Sequence, residues 1–325
     1  MEEKIDLVYL WVDGDDPAIK EKRLFFEKEY GKNINPQAVK KCRFRNNEEL
    51  RYSLRSVEKY APWVNKIFIV TDNQKPEWLN TEHPKIKIVD HKEIMPPEAL
   101  PTFNPSAIET CLHKIPNLSE YFIYANDDMF FTTYTEPSFF FTDTMFPIFR
   151  VKHNIKQEQA KNDIYFRNLT NAYKLIDGKY GLKIEREPHH SIDSYRKSDF
   201  EQVNEIFKTE IYKTTISKFR QFDNTSRVIY SAYACATGKG VIKIVSKIDK
   251  TLPLYKQVWL YLTRQFQKDS LCFGNNFNKS IIKEIDKFKP YVICINDEEQ
   301  SSAKQLQNEQ NFLENYFSKK SSFEK

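Results

Sequence analysis

Two adjacent acids follow an amide in Asn126-Asp127-Asp128, directly after the strand-like run YFIYA at 121–125. Neighbouring carboxylates repel at close range unless a cation or hydrogen bonds offset them. A hard divalent cation takes oxygen ligands and bridges protein carboxylates to phosphates, so Asp127 and Asp128 could hold Mg²⁺ or Mn²⁺ beside a phosphate-bearing substrate. The plainer reading is that one of them caps a turn. Asp13-Gly14-Asp15-Asp16 also follows a strand-like run. There Gly14 would let backbone approach a base or ribose closely, and Asp13 could accept from ribose hydroxyls, while Asp16 suits a helix N-terminus. Arg51 and Arg55 lie four residues apart on one helical face, just after Arg43 and Arg45. Guanidinium forks grip phosphate oxygens bidentately, although a solvated face paired with Glu48 and Glu58 accounts for the same residues. His189-His190 follows Pro188, with Lys218-Phe219-Arg220 downstream; histidine is the usual general base for a sugar hydroxyl, yet paired surface histidines are often incidental. Asp72-Asn73 and Asn296-Asp297 complete the set, each just after a strand-like run.

Composition narrows how a phosphate could be held. The 325 residues include only seven glycines, and no spacing among them forms G-x-G-x-x-G or G-x-x-x-x-G-K-[ST]. Backbone cradles of those two kinds are excluded, which leaves side chains or a metal. With 50 Lys+Arg against 45 Asp+Glu the net charge is +5, without the dense basic stripe of a nucleic-acid binder, so no nucleic-acid partner is expected. A 40% hydrophobic share excludes global disorder. Five scattered cysteines, never in C-x-x-C spacing, predict reduced thiols in a cytosolic setting and give no zinc signature. No secretory leader is read at the N-terminus and no run approaches the length of a membrane span.

The elements that must carry these residues alternate in the first half. Strands are predicted at 5–12, 66–70, 85–90 and 121–125. One helix runs from an Asp16 cap and Pro17 towards Gly31; another opens on Asn46 and Glu49 as a capping box and stops at Pro62. A further helix is expected at 105–115. The reading is an α/β, GT-A-like (Rossmann-like), mostly parallel sheet covered by helices. From about 150 the chain turns polar, then predicts helices at 198–208, 211–221 and 227–236, a strand pair at 241–248 and 291–295, and a tail, 300–325, that is helical and then frayed. One catalytic domain over 1–325, with a helical insert at 150–225, is expected.

At this point the residues resemble a known family. IDLVYLWVDGDD, FRNNEELRYSLRSVEKYAPWVNKIFIVTDNQKPEWLN and LPTFNPSAIETCLHKIPNLSEYFIYANDDMFF are similar to the Stealth proteins, bacterial capsular and exopolysaccharide hexose-1-phosphate transferases related to the catalytic subunit of GlcNAc-1-phosphotransferase. EPHHSIDSY…FKTEIYKTTISKFRQFDN and the terminal CINDEEQ…FLENYFSKKSSFEK match more loosely. The resemblance implies transfer of a sugar-1-phosphate from a nucleotide-diphosphosugar, commonly UDP-GlcNAc, to a hydroxyl of an oligosaccharide, polysaccharide or glycolipid acceptor. It also implies work in the cytoplasm, peripheral to the inner membrane and its capsule assembly machinery. By position it implies nucleotide or phosphate binding by Asp13, Gly14, Arg51, Arg55, Asp72, Asn73 and Asn104. Metal binding falls to Asp127, Asp128 and Asp297, and catalysis to Asp128, Arg220 and one of His189 and His190, with His189 favoured. A glycosyltransferase that moves the sugar alone and releases nucleoside diphosphate is the rival enzyme. A non-catalytic polysaccharide-binding protein is the third class.

Overall fold

Four short runs rich in β-branched residues become strands: the inner three are buried on both sides, as a parallel sheet between helices demands, while the edge strand exposes Lys87. They are β1 (Ile5–Leu10), β2 (Ile67–Thr71), β3 (Ile86–Asp90) and β4 (Tyr121–Asn126). The computed structural model describes residues 3–245, 253–263, 268–274, 279–297 and 299–325. Further strands are β5 (Met129–Phe131), β6 (Ile148–Asn154), β7 (Arg186–Pro188), β8 (Asp193–Arg196), β9 (Val241–Ile244), β10 (Ser270–Phe273) and β11 (Val292–Ile295). The helices in chain order are α1 (Pro17–Tyr30), α2 (Glu49–Tyr60), α3 (His91–Ile94), α4 (Pro105–Glu109), α5 (Gln157–Asn162), α6 (Ile164–Tyr180), α7 (Lys197–Ile206), α8 (Lys208–Thr215), α9 (Val228–Ala236), α10 (Leu254–Thr263), α11 (Lys279–Phe288) and α12 (Ala303–Tyr316).

The central sheet has the order β3-β2-β1-β4-β8. Its first four strands are parallel and β8 is antiparallel to β4. Successive side chains alternate between faces, so Val8, Phe68, Val70, Phe122 and Tyr124 join one core with residues of α6, α7 and α9. Leu7, Tyr9, Ile67, Ile69 and Ile123 join another under α2. The chain leaves β1 towards β2 and β3 on one side, then returns to place β4 on the other. That reversal opens a crevice beyond the carboxyl ends of β1 and β4, the usual ligand position of such sheets. The expected α/β, Rossmann-like, mostly parallel sheet is therefore present.

Local signals hold in part. Asp16 accepts from the backbone of Ala18 and Ile19, with Pro17 opening α1 as expected. The second helix begins at Glu49, three residues later than the predicted cap at Asn46: Glu48 takes a left-handed φ of 61°, and Glu49 instead receives hydrogen bonds from Asn47. The expected pairing of 241–248 with 291–295 is corrected. β9 pairs with β6 and β11 pairs with β10 and β5, because short apolar strands carry no label for their partner; residues 246–248 lie outside the described residues. The tail does not fray. Phe323 and Glu324 are buried, and Asn80 N donates to Phe323 O at 2.8 Å.

Candidate active site

The crevice is a cavity of ≈ 960 Å³ bounded by Leu10, Trp11 and Val12 after β1, Asp72 after β2, and Asn126, Asp127 and Asp128 at the end of β4. Asp127 and Asp128 span the turn where the chain passes from the central sheet into β5, so their backbone is held between two sheets. Ile295 N donates to Asp128 O at 3.0 Å, and the Cys294 thiol donates to Asp128 Oδ2 at 3.4 Å.

Five acids converge on this floor. Burial raises the Asp127 carboxyl well above its ordinary value, with Glu49 and Asp128 adding repulsion. Burial, then Glu49, raises Asp128 to about 7 despite the Cys294 hydrogen bond. Glu309 on α12 is pushed up to about 8 by burial and by the charges of Glu49, Asp297 and Asp128. Arg45 Nη1 meets Asp297 Oδ2 at 2.5 Å, one cation for the whole group. Asp128 Oδ1, Asp297 Oδ1 and Glu309 Oε1 are buried without a hydrogen-bond partner. Orphaned carboxylate oxygens among raised acids are the kind of donor a hard divalent cation takes, although among the described residues no three of these acids bring their oxygens within 4.8 Å of one another.

The opposite wall is basic. Arg227, at the entrance to α9, donates to Glu109 Oε1 at 2.9 Å and to Asp193 Oδ2 at 3.0 Å and lies over the Tyr124 ring. It is satisfied, and so braces the wall. Arg220 is not: its Nε is buried without a partner, and burial together with Arg43 and Arg227 lowers its guanidinium to about 10. An unpaired buried cation beside two others is a seat for an anion. His190 also faces this cavity. Its Nε2 is buried without a partner, and burial with Arg227 and Lys152 nearby brings its pKa down to about 4, so the ring is neutral at ordinary pH.

The structure brings Asp72, Asp127, Asp128, His190, Arg220 and Asp297 to one cavity and leaves the other predicted residues elsewhere. His189, the favoured histidine, does not line the cavity: its Nδ1 lies 3.0 Å from Ser270 Oγ, which donates to His190 O at 2.7 Å. Arg51 and Arg55, expected as phosphate clamps, lie outside the cavity lining and both grip Glu324, at 2.8 and 2.7 Å. Asn104 also lies outside the lining. It is fully buried, caps α4 through Ser106 N and donates to Asn224 Oδ1 at 2.9 Å, which leaves no atom for a ligand. Gly14 is close-packed, but against chain: a Cβ there would stand 2.2 Å from Phe44 O. Asp13 receives Asp15 N at 3.1 Å and is clasped by Gln74 on both sides of its backbone, and Asn73 is exposed in a left-handed turn. Asp72 lines the cavity but pairs with Lys22 Nζ at 2.6 Å. Sequence reasoning missed Glu49, Glu309, Arg227 and Glu109 as site groups. A lone arginine opening the apolar run VIYSAYACA was the one available signal.

An acid floor facing an arginine wall at a sheet's switch point defines an enzyme that handles a phosphorylated ligand. The families are consistent with that class. Stealth protein CR2, conserved region 2, matches residues 43–148, and Stealth protein CR1, conserved region 1, matches residues 3–31. The capsular polysaccharide phosphotransferase fcs1 of Haemophilus influenzae is 37% identical over 307 residues, covering 92% of this chain and 79% of that protein. The exopolysaccharide phosphotransferase cps2G of Lactiplantibacillus plantarum is 32% identical over 332 residues, covering 92% and 89%. An exopolysaccharide phosphotransferase of Streptomyces coelicolor is 35% identical over 250 residues, 73% of this chain but 26% of that longer protein. The chain belongs to the Stealth family.

Proposed function

We propose that this chain transfers a sugar-1-phosphate, GlcNAc-1-phosphate or another hexose-1-phosphate, from a nucleotide-diphosphosugar to a sugar hydroxyl of a capsular or exopolysaccharide acceptor. The acceptor oxygen attacks the sugar-proximal phosphorus, the bond to the second phosphate breaks, and nucleoside monophosphate leaves. The anomeric bond survives inside the new phosphodiester. His190 takes the hydroxyl proton, as a neutral imidazole can. Arg220 receives the diphosphate charge, and Arg227, held by Glu109 and Asp193, keeps that wall rigid. Asp127 and Asp128, with Asp297, would hold a divalent cation, Mg²⁺ or Mn²⁺. When bound, it supplies neutralising charge for the phosphates and for the leaving group.

The observation that carries this reading is that orphaned acid oxygens, an unpaired arginine and a neutral histidine share one cavity. We read 1–325 as one catalytic domain with 150–225 as its elaboration, working at the cytoplasmic face of the membrane where nucleotide sugars and capsule assembly meet. Among the described residues no helix is long and apolar enough to cross a membrane. The test is the nucleotide product. Incubation with a panel of nucleotide sugars should release nucleoside monophosphate, UMP from UDP-GlcNAc. Nucleoside diphosphate as the product would instead establish the rival, in which the sugar alone moves.

A further inference from the structure

Cys272 on β10 stands opposite Cys294 on β11 in the strand register. No sequence spacing announces this pair, since 22 positions separate the two. His190, from the loop before β8, reaches the same spot, and one ring nitrogen and the two Sγ atoms all lie within 4.8 Å of one another. This donor set is chemically unlike the acid floor beside it. Two sulfurs and an imidazole suit a borderline-soft transition metal, whereas carboxylates and phosphate suit Mg²⁺. Two further observations point to a ligand here. His190 Nε2 is buried without a hydrogen-bond partner, and Asp128 Oδ1, whose sister oxygen accepts from Cys294, is orphaned as well.

We propose that His190, Cys272 and Cys294 form a binding site for Zn²⁺ or a metal of like softness. Binding releases two thiol protons to solvent, so affinity rises with pH. The consequence for turnover rests on the function proposed above. A metal in this site occupies the imidazole that takes the acceptor proton. Zinc is then an inhibitor, not the activating ion.

The site is read directly with Co²⁺, whose bonds to thiolate give a charge-transfer absorption band. Reduced full-length protein in excess Mg²⁺, titrated with Co²⁺, should develop that band at one equivalent, and Zn²⁺ should displace it. Cys294 is buried and its replacement could disturb folding, so the informative variant is Cys272→Ser, at an exposed residue. It should lose the band while keeping its Tm and its Mg²⁺-supported activity. Zinc-loaded wild type should turn over about 10²-fold more slowly or worse, the scale of losing a general base, and Cys272→Ser should escape that inhibition. No thiolate band, or a band unchanged in Cys272→Ser, would overturn the site. Full turnover with zinc seated would instead count against His190 as the base, and so against the proposed function.

Discussion

Arg220 is a cation placed where the protein gives it nothing to bind. A buried guanidinium nitrogen without a partner costs stability of order 1–3 kcal/mol, a cost that the diphosphate would offset under the function proposed above. Arg220→Lys should therefore leave the melting temperature of the ligand-free protein unchanged or slightly raised, while turnover falls by about 10²–10³-fold. A parallel loss of Tm would make Arg220 a structural residue. The acids give a second prediction. Asp128 and Glu309 titrate near 7 and 8, above their ordinary values of 3.8 and 4.5. Groups raised on folding favour the folded state while protonated, so without metal their contribution is lost as pH rises from about 4 through 8. A divalent cation relieves the repulsion among the ionised acids, so Mg²⁺ should raise Tm more at pH 8 than at pH 5. His190 acts the other way, because its lowered pKa removes stability as pH falls from 6.5 through about 4. The diagnostic quantity is thus the difference that Mg²⁺ makes at each pH; equal increments at both would reject the acids as its ligands. Chelation by EDTA should abolish turnover, and full activity in its presence would reject the metal.

Elements turn these residues towards one another by way of backbone contacts that no side-chain motif records. Gly14 N donates to Phe44 O at 2.9 Å, which pins the segment carrying Arg43 and Arg45 under the end of β1. Within the same segment the cap falls on the left-handed Glu48, two residues beyond the Asn46 cap expected from spacing. Gly14→Val would force a Cβ to 2.2 Å from the Phe44 oxygen. The expected cost is at least the 1–3 kcal/mol of overpacking, read as a lower denaturant midpoint, together with weakened donor binding as Arg43 and Arg45 shift. A variant with wild-type stability would refute the contact. Strands β1, β2 and β4 were legible because central parallel strands are apolar on both faces, and the edge strand β3 by its apolar alternation; both patterns are local. The pairing of β9 with β6 and of β11 with β5 was not, since strand partners are chosen by nonlocal packing.

At the scale of the whole molecule, the C-terminus closes the fold over α2. Arg51 and Arg55 converge on Glu324, 273 and 269 residues away. Burial alone would raise that carboxyl, but the hydrogen bonds from Arg55 and Arg51 bring it down to about 2. Removing one partner strands the others, so Glu324→Gln should cost about 3–5 kcal/mol in chemical unfolding. A group depressed on folding stabilises above its unfolded pKa and loses that contribution as pH falls through the folded value. The wild-type advantage should therefore fade from about pH 4.5 towards 2. A variant as stable as wild type at pH 7 would show the anchor to be idle. The sequence by itself determined the class of chemistry and the family: adjacent acids after a strand, a shortage of glycine, and the arginines and histidines are fixed by composition and spacing. It also determined the parallel sheet, whose strands announce themselves over a few residues. Only the tertiary structure decided which basic groups face the cavity. Arg51 and Arg55 look like the better clamp in sequence but are spent on a distant glutamate, and Arg220 is left unpaired. His190 rather than His189 lines the cavity, and Ser270 lies against its neighbour's ring. Whether a group is free to meet a ligand depends on what the folded chain has already placed against it, and those partners lie 81 to 273 residues away.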